Sequence, residues 1–443
     1  MKRAFILFLT LIFIFQLTNL ISQNIQPDRT DPILDINSGV SGKMMDPTHN
    51  IRKADILLEE KKAGHIKDRQ LIIGASIIGL MDYQKSNIDS KFAYLMRHPT
   101  SANQIGTTVT EAALHSFQVG MTASVNNWIS MYGEILYNPE QSFGPGTITA
   151  LIRNQLQLRK GMIVFGDLNK FPLYGAIGKM DTPFGDMGSV NPFSNSTSWH
   201  AYAGLSFGAE LGFKKAGLHA SVMAIQGGSQ FRAAHTGVKG TNVPSQLNNF
   251  AADINYTFDV MSNTSLQIGG SYMYGSAYCT GYPITHFGEP VKNNPAYSTY
   301  ANLHFSDRVL IKGGFSKTFD TWPGSYNPNP PLNQYNASKV SSLNAGIKVN
   351  LNPQGKIIYA LSGEYSDFRT GPEGSPWERQ NQKILGFEAR VMESSTLFAE
   401  VFSTDGYVPL NFMTGGNMES PGETHSEHDA FSNGIVLGAR IVL

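Results

Sequence analysis

Nine charged side chains between residues 134 and 440 offer the clearest binding chemistry in this sequence. The basic ones are Lys179, Lys312, Lys348, Arg390 and Arg440, and the acidic ones are Glu134, Glu210, Asp253 and Glu388. Ammonium and guanidinium groups attract anionic ligands, and the carboxylates would temper that field. If the fold brings them together, these side chains predict a binding surface for a small polar or anionic solute.

Two other groupings could carry chemistry, and each has a plainer explanation. His425 and His428 lie among three carboxylates in the segment 423–429, a donor set that could hold a divalent metal. Histidines three apart share a face only in a helix, so a solvated charged loop is the favoured interpretation. The run 204–208 reads G-L-S-F-G, like a hydrolase nucleophile elbow, but it lies inside an alternating segment instead of a strand-to-helix turn. We therefore predict no enzyme and no cofactor.

The elements that position these residues are predicted to be β-strands, because apolar and polar residues alternate beyond Asp68. In the segment 204–213 the apolar face is Leu205, Phe207, Ala209, Leu211 and Phe213, and the other face is small or polar. Segments 266–272, 343–349 and 435–443 show the same alternation. Successive side chains of a strand point to opposite faces, so each segment predicts a strand with one apolar face.

Short and long connections alternate along the chain. Tight links lie at 126–127, 214–217, 306–307, 352–355 and 393–394, and long polar connections at 83–110, 182–200, 227–247, 276–296, 320–338, 368–380 and 405–432. This alternation is typical of outer-membrane barrels, with short periplasmic turns and long external loops. It predicts an all-β fold, a transmembrane antiparallel β-barrel of about 16 strands over residues 68–443. A soluble sandwich or barrel with an aromatic core is the alternative.

The barrel predicts where the charges point, because a charge at the lipid midplane costs about 2–4 kcal/mol. Charges on the polar faces should therefore line the lumen: Glu134, Glu210, Asp253, Lys312, Lys348, Glu364, Glu388, Arg390, Glu400 and Arg440. We place Lys179 there as well. Both signs occur, which predicts a wet and polar interior. At about sixteen strands that interior is too wide for side chains alone to fill.

Composition and the first residues agree with export to a membrane. A basic head and an apolar run from Phe5 to Phe15 predict a signal peptide over residues 1–22. Residues 23–67 form a short periplasmic segment with one candidate helix at 51–62, interpreted as a plug, a partner-binding helix or a solvated linker, the last being favoured. A net charge of zero argues against a nucleic-acid partner.

The segment 165–185 is similar to a known family. It reads F-G-D-L-N-K-F-P-L-Y-G, then G-K at 178–179 and P-F-G at 183–185. This resembles the signature of the LbtU-type siderophore porins of Legionella, Francisella and relatives, although Asp167 stands where those proteins have Asn. The resemblance implies uptake of an iron–siderophore complex without a large N-terminal plug domain. The close match covers about twenty residues.

Two functions follow from this sequence. The first is an outer-membrane porin for a small polar solute, such as a ferric siderophore. The alternative is a receptor or adhesin that acts through its long external loops without conduction. Outer-membrane lipid is the expected surrounding in both cases, and the sequence leaves the oligomeric state open.

Overall fold

The fold is described from a computed structural model of the chain. The structure describes residues 33–46, 52–89, 91–92, 106–138, 155–226, 230–231, 234–235, 246–278, 293–322, 338–391, 394–408 and 427–443. The predicted signal peptide and His425 lie outside these residues, as do most of the long connections.

Sixteen strands of the described residues form one closed antiparallel sheet. Their bounds are β1 Gln70–Ser86, β2 Thr108–Asn126, β3 Ile129–Asn138, β4 Gln155–Phe165, β5 Leu173–Asp181, β6 Leu205–Lys215, β7 Leu218–Gln226, β8 Leu247–Met261, β9 Thr264–Met273, β10 Ala296–Phe305, β11 Val309–Thr318, β12 Ser341–Asn350, β13 Ile357–Arg369, β14 Arg379–Val391, β15 Ser395–Tyr407 and β16 Glu427–Val442. The sheet closes where β16 pairs with β1, from Ser432 opposite Ser86 to Val442 opposite Ser76. Closure leaves no sheet edge that lipid would fail to satisfy. The predicted fold class is confirmed.

The short connections lie at one end of the barrel, together with the start of β1 and the end of β16. We call this the turn end and the opposite end the loop end. The structure adds a tight link at 262–263, between β8 and β9, to those read from the sequence. Between β6 and β7 the two turn residues, Ala216 and Gly217, have φ of 51° and 83°. Positive φ at both positions is what a two-residue hairpin turn requires, and glycine adopts it without a steric penalty.

The two faces of the wall differ as the alternation predicts. Outward-facing apolar side chains are exposed on every part of the wall, including Met81, Leu211, Ile254, Leu385 and Leu437. Along β1 buried positions alternate with exposed or half-buried ones through all 17 residues. The apolar outer face suits hydrocarbon, and the inner face carries the polar and charged residues.

Three helices and three two-residue strands complete the described residues. Helix α1 is Ser38–Met44, α2 is Lys53–Lys62 and α3 is Thr197–Tyr202. Leu34–Asp35 pairs in parallel with Leu71–Ile72 of β1, and Gln230–Phe231 pairs with Ala234–His235. Asn37 caps α1 through its side chain, which accepts a hydrogen bond from Val40 N. No helix in this part of the chain is long and apolar enough to cross a membrane.

Candidate functional site

Two segments enter the barrel and shape its interior. The first, residues 33–46 and 52–67, lies in the mouth at the turn end, and we call it the N-terminal insert. The second, residues 182–204 between β5 and β6, follows the inner wall, and we call it the inner loop. The inner loop buries nearly all of its side chains, and the insert buries those that face the barrel. The fully buried Leu57 of α2 shares one apolar cluster with Phe184 of the inner loop.

The N-terminal insert packs on wall residues of matching shape. Gly74 of β1 faces Ser41 so closely that an added Cβ would lie 2.1 Å from its hydroxyl oxygen. Gly120 of β2 likewise faces Met45, with 3.0 Å between an added Cβ and the sulfur. The described part of the segment is therefore docked against the barrel, and the favoured interpretation as a solvated linker was wrong for these residues. The sequence could not show this, because the packing partners lie on distant strands.

Polar contacts fix the insert from several sides. The Arg52 guanidinium lies 2.6 Å from the fully buried Asp253 carboxylate of β8. Tyr174 Oη is 3.1 Å from Asp55 of the insert and 2.8 Å from His219 Nε2. Burial alone would lower the pKa of Arg52, but the Asp253 carboxylate raises it above its usual range. The guanidinium therefore stays charged in this site.

Further ion pairs and hydrogen bonds surround the mouth. Arg440 Nη2 donates to Gly42 O at 2.8 Å, and its Nη1 lies 3.6 Å from Asp46. Lys214, at the end of β6, pairs with Glu59 of α2 at 2.9 Å. Lys61 donates to Asn126 O and, at 3.0 Å, to Ser130 Oγ. The insert thus contacts the wall on several strands around one side of the mouth.

The inner loop is held by carboxylates that accept hydrogen bonds from its backbone. Glu400 of β15 accepts from Phe193 N at 2.9 Å and Ser194 N at 3.0 Å, and also from Ser194 Oγ. Glu364 of β13 accepts from Val190 N at 3.1 Å and from Ser189 Oγ at 2.9 Å. These two lumen-facing charges, expected from the register, therefore position the loop inside the barrel.

Lys312 joins the inner loop to β11. Its ammonium lies 3.0 Å from the Asp186 carboxylate. Burial alone would raise the pKa of Asp186, but Lys312, Asn302 and Gly188 N hold that pKa at about 2. Asp186 directly follows the P-F-G motif, so the resembling segment leads into the anchored start of the loop.

Part of the interior is apolar, which the sequence did not predict. The inward-facing residues of one patch are Ile78, Leu80, Ile384, Phe398, Phe402 and Val436. Phe193 of the inner loop stacks on Phe398 with 5.1 Å between ring centroids. The interior predicted to be wet and polar therefore also contains an apolar patch that the inner loop covers. Strand alternation shows which residues point inward, but not that a loop will cover some of them.

The inner wall of β9–β14 keeps polar side chains in contact with solvent. Lys348 of β12 pairs with Glu388 of β14 at 2.8 Å, and Arg390 lies 3.3 Å from the same carboxylate. The side chains of Lys348 and Arg390 are 20% and 40% exposed, whereas that of Glu388 is 7% exposed. Gln267 and Asn350 are also partly exposed on these strands. We call this the basic wall, defined by Lys312, Lys348, Glu388 and Arg390.

The remaining candidate residues serve other contacts. Glu134 and Glu210 face inward as predicted, and their carboxylates accept from Tyr132 at 3.0 Å and from Tyr174 at 3.3 Å. Asp253 and Arg440 face inward and hold the insert. Lys179 was placed wrongly, because it lies on the outer face with the exposed Ile177 and over the Phe207 ring. The strand's own alternation puts it there, against the general cost of a lipid-facing charge.

The metal candidate is only partly described. His428 lies 3.1 Å from Asp429 and 3.5 Å from Glu427, three consecutive residues at the start of β16. Their donor atoms all lie within 4.8 Å of one another. Ser206 of the hydrolase-like run lies within β6, in a strand and not at a strand-to-helix turn.

Sequence reasoning missed several residues that shape the interior. Arg52, Asp186 and His219 make central contacts, but none belongs to a motif. The usable signals were local: Asp186 follows a loop-launching motif, and His219 stands at an inward position of β7. Nothing near Arg52 distinguishes it from a surface arginine.

Comparisons with known proteins agree with this fold. No family model matches the sequence. The channel DcaP of Acinetobacter baumannii matches with a TM-score of 0.51 at 11% identity, over 84% of this chain and 97% of that one. An anion-selective porin from Comamonas acidovorans matches with a TM-score of 0.51 at 8% identity, over 84% and 99%. The chain therefore has the barrel fold of these outer-membrane proteins.

One curated relative is similar in sequence. It is described as a UPF0422 protein of Coxiella burnetii (strain RSA 493 / Nine Mile phase I), and it is 26% identical over 208 residues. The match covers 44% of this chain and 40% of the relative, so the chain spans less than half of that protein's length.

Proposed function

We propose that this barrel is a porin, a channel through which small polar solutes cross the outer membrane. The observation that carries the proposal is the basic wall: polar side chains of β9–β14 that stay in contact with solvent. The insert covers the opposite side of the mouth, so this wall offers the route for a solute. The two barrels of similar fold are a channel and a porin, which supports the same function.

The charges of this route favour anions. Lys348 and Arg390 both lie next to the single Glu388 carboxylate, and both side chains are partly exposed. This cluster therefore carries two positive charges and one negative charge where water reaches it. A fixed charge in a narrow polar passage raises the local concentration of ions of opposite sign.

A ferric siderophore with carboxylate groups is the solute that we propose. The segment 165–185, which resembles the LbtU-type siderophore porins, forms the end of β4, the turn, β5 and the start of the inner loop. Lys312 then anchors Asp186 at the edge of the basic wall. The resembling residues thus lie where they shape the route.

Ion selectivity tests the porin proposal. In planar bilayers, the double variant Lys348→Gln and Arg390→Gln should lose its preference for chloride and favour potassium. A unit charge at about 4 Å in water contributes about 1 kcal/mol, so the permeability ratio should change about fivefold per charge. The matched control Lys179→Gln removes the same charge from the outer face and should leave the reversal potential unchanged.

Two results would contradict the proposal. If the wild-type protein forms no pore, the chain is not a porin. If the double variant and the control shift the reversal potential equally, the basic wall does not line the route.

A growth experiment tests the siderophore. A deletion strain under iron limitation should lose growth on one supplied ferric siderophore and keep growth on ferrous iron. Unchanged growth on every candidate siderophore would refute that substrate.

A further inference from the structure

The wall of the turn-end mouth is shaped to receive the N-terminal insert. Both Gly74 and Gly120 leave room that any larger residue would fill, and both face residues of the segment that contains α1. Arg440 of β16 reaches Gly42 O and Asp46 in that same segment. The docked position is therefore a specific state and not a loose association.

The docking site of Arg52 is complete without the insert. The Asp253 carboxylate accepts hydrogen bonds from Ser271 Oγ at 2.6 Å, Asn255 Nδ2 at 2.9 Å and Tyr300 Oη at 3.0 Å. All three donors belong to the wall, on β9, β8 and β10. If Arg52 left, this carboxylate would remain hydrogen-bonded, so release would not require the wall to rearrange.

The backbone is strained at two positions that flank α2, one in the insert and one just before β1. Four non-glycine residues in the described part of the chain have positive φ, and two of them are Arg52 (58°) and Arg69 (56°). The left-handed region costs an L-residue about 1–2 kcal/mol, so such residues persist only when other contacts hold them. Arg52 is held by its guanidinium, and Arg69 is the link to β1. Release of the insert would relax the backbone of Arg52, and the released insert would pivot about Arg69.

From these observations we propose that the N-terminal insert is a releasable plug, which narrows the turn-end mouth and is latched by the ion pair of Arg52 with Asp253. The inference rests on the proposed channel, because a plug has a function only where solute passes. Residues 67–69 keep the released insert tethered to β1. A docked plug confines passage to the basic wall, and a released one opens the whole mouth.

The first test removes the latch in the full-length protein. Arg52→Ala should increase the time-averaged conductance in planar bilayers about tenfold or more, because the docked insert would then cover the Asp253 carboxylate without supplying its counter-charge, which disfavours the docked state. Asp253→Asn, which changes the wall side of the latch, should act in the same direction. Arg52→Lys should restore part of the wild-type behaviour. Heat-modifiable migration of each variant on gels would show that the barrel is folded.

The second test separates movement of the plug from mere loss of side-chain volume. A water-soluble carbodiimide converts an ion pair into an amide, with loss of water between the carboxyl and the amine. Glu59 of the insert and Lys214 of the wall are 2.9 Å apart and both partly exposed. The reagent should therefore tie the insert down and return the Arg52→Ala protein to low conductance. The double variant Arg52→Ala and Glu59→Gln should stay conductive after treatment.

The outcomes distinguish the plug from the channel. Wild-type conductance equal to that of Arg52→Ala and Asp253→Asn would overturn the plug and leave the channel intact. A carbodiimide effect that persists in the Glu59→Gln background would also overturn it, since the cross-link would not be the cause. No conductance in any of these folded proteins would overturn both proposals.

Discussion

Single charged residues inside the barrel divide into those that hold a segment and those that meet solvent. Asp253, Glu364 and Glu400 are buried, and each binds the N-terminal insert or the inner loop. The side chains of Lys348 and Arg390 remain partly exposed. Charge alone therefore does not identify a solute contact in this wall. The exposed fraction of the side chain decides which role a lumen charge can have.

Lys53 makes docking of the insert depend on pH. Burial, with Lys160 nearby, lowers its pKa to about 7, while Glu134, Asp181 and Asp46 oppose that shift. In the released insert its pKa would be near 10.5, so between pH 7 and 10 the docked form binds fewer protons. Docking should therefore tighten as pH rises through this window and gain nothing from Lys53 below pH 7.

This dependence can be measured by hydrogen exchange of α2. Protection of residues 53–62 should increase in the wild-type protein between pH 7 and 9.5, after correction for the intrinsic exchange rate. Lys53→Met keeps the length of the side chain and removes its titration, so its protection should be flat over that range. An equal slope in both proteins would mean that another group controls docking.

Residue orientation was predictable from the sequence wherever strand periodicity was followed. Glu134, Lys312 and Glu388 point inward as period two requires. Lys179 shows the limit, because it is expected in the lumen as an anion-attracting charge, whereas its position in β5 is outward. The contact of its ammonium with the Phe207 ring and the 3.5 Å approach to Leu158 O depend on neighbouring strands, which the sequence does not pair.

At the scale of elements, the inner loop depends on a few carboxylates of the wall. Glu400 binds two backbone N–H groups and one hydroxyl of residues 193–194. Removing a buried acceptor leaves each such donor unsatisfied at a cost of about 1–3 kcal/mol. The loop would then leave the wall, or water would have to enter.

Glu400→Ala should therefore free the middle of the inner loop. We expect faster hydrogen exchange at residues 190–198 and a higher single-channel conductance, while the barrel remains closed. Glu427→Ala removes a carboxylate from the described start of β16, away from these contacts, and should change neither quantity. Unaltered exchange in Glu400→Ala would show that α3 and the apolar patch hold the loop without this carboxylate.

The strands could be predicted from the sequence, whereas the docking of the N-terminal insert and the inner loop could not, for a physical reason. A strand that separates lipid from water must alternate apolar and polar residues, so its pattern is visible in the local sequence. The helix expected at 51–62 is confirmed as α2, Lys53–Lys62. Its many charged residues gave no sign of docking, although Lys53 is buried in the structure. Its environment is set by Asp253, Tyr174 and Lys214, which come from strands far along the chain.

For the whole molecule, the outer face of the barrel must suit the bilayer, as its inner face suits the N-terminal insert and the inner loop. A barrel of sixteen strands encloses more space than its own side chains fill, and here two segments of the same chain take up part of it. The outer wall has no such cover, and large apolar side chains such as Leu385 and Leu397 are exposed there. Hydrocarbon is the environment in which this surface is stable.

Charge placed at two depths of the outer face tests that environment. Leu385 lies at the middle of β14, 69% exposed, and Leu397 lies near the turn end of β15, 57% exposed. Leu385→Arg should make folding into phospholipid vesicles less favourable by about 2–4 kcal/mol, and Leu397→Arg by about 0–1 kcal/mol. Urea titrations of the folded fraction would give both values. Equal costs at the two depths would mean that the outer wall does not face a hydrocarbon layer, because only a layer with a midplane distinguishes them.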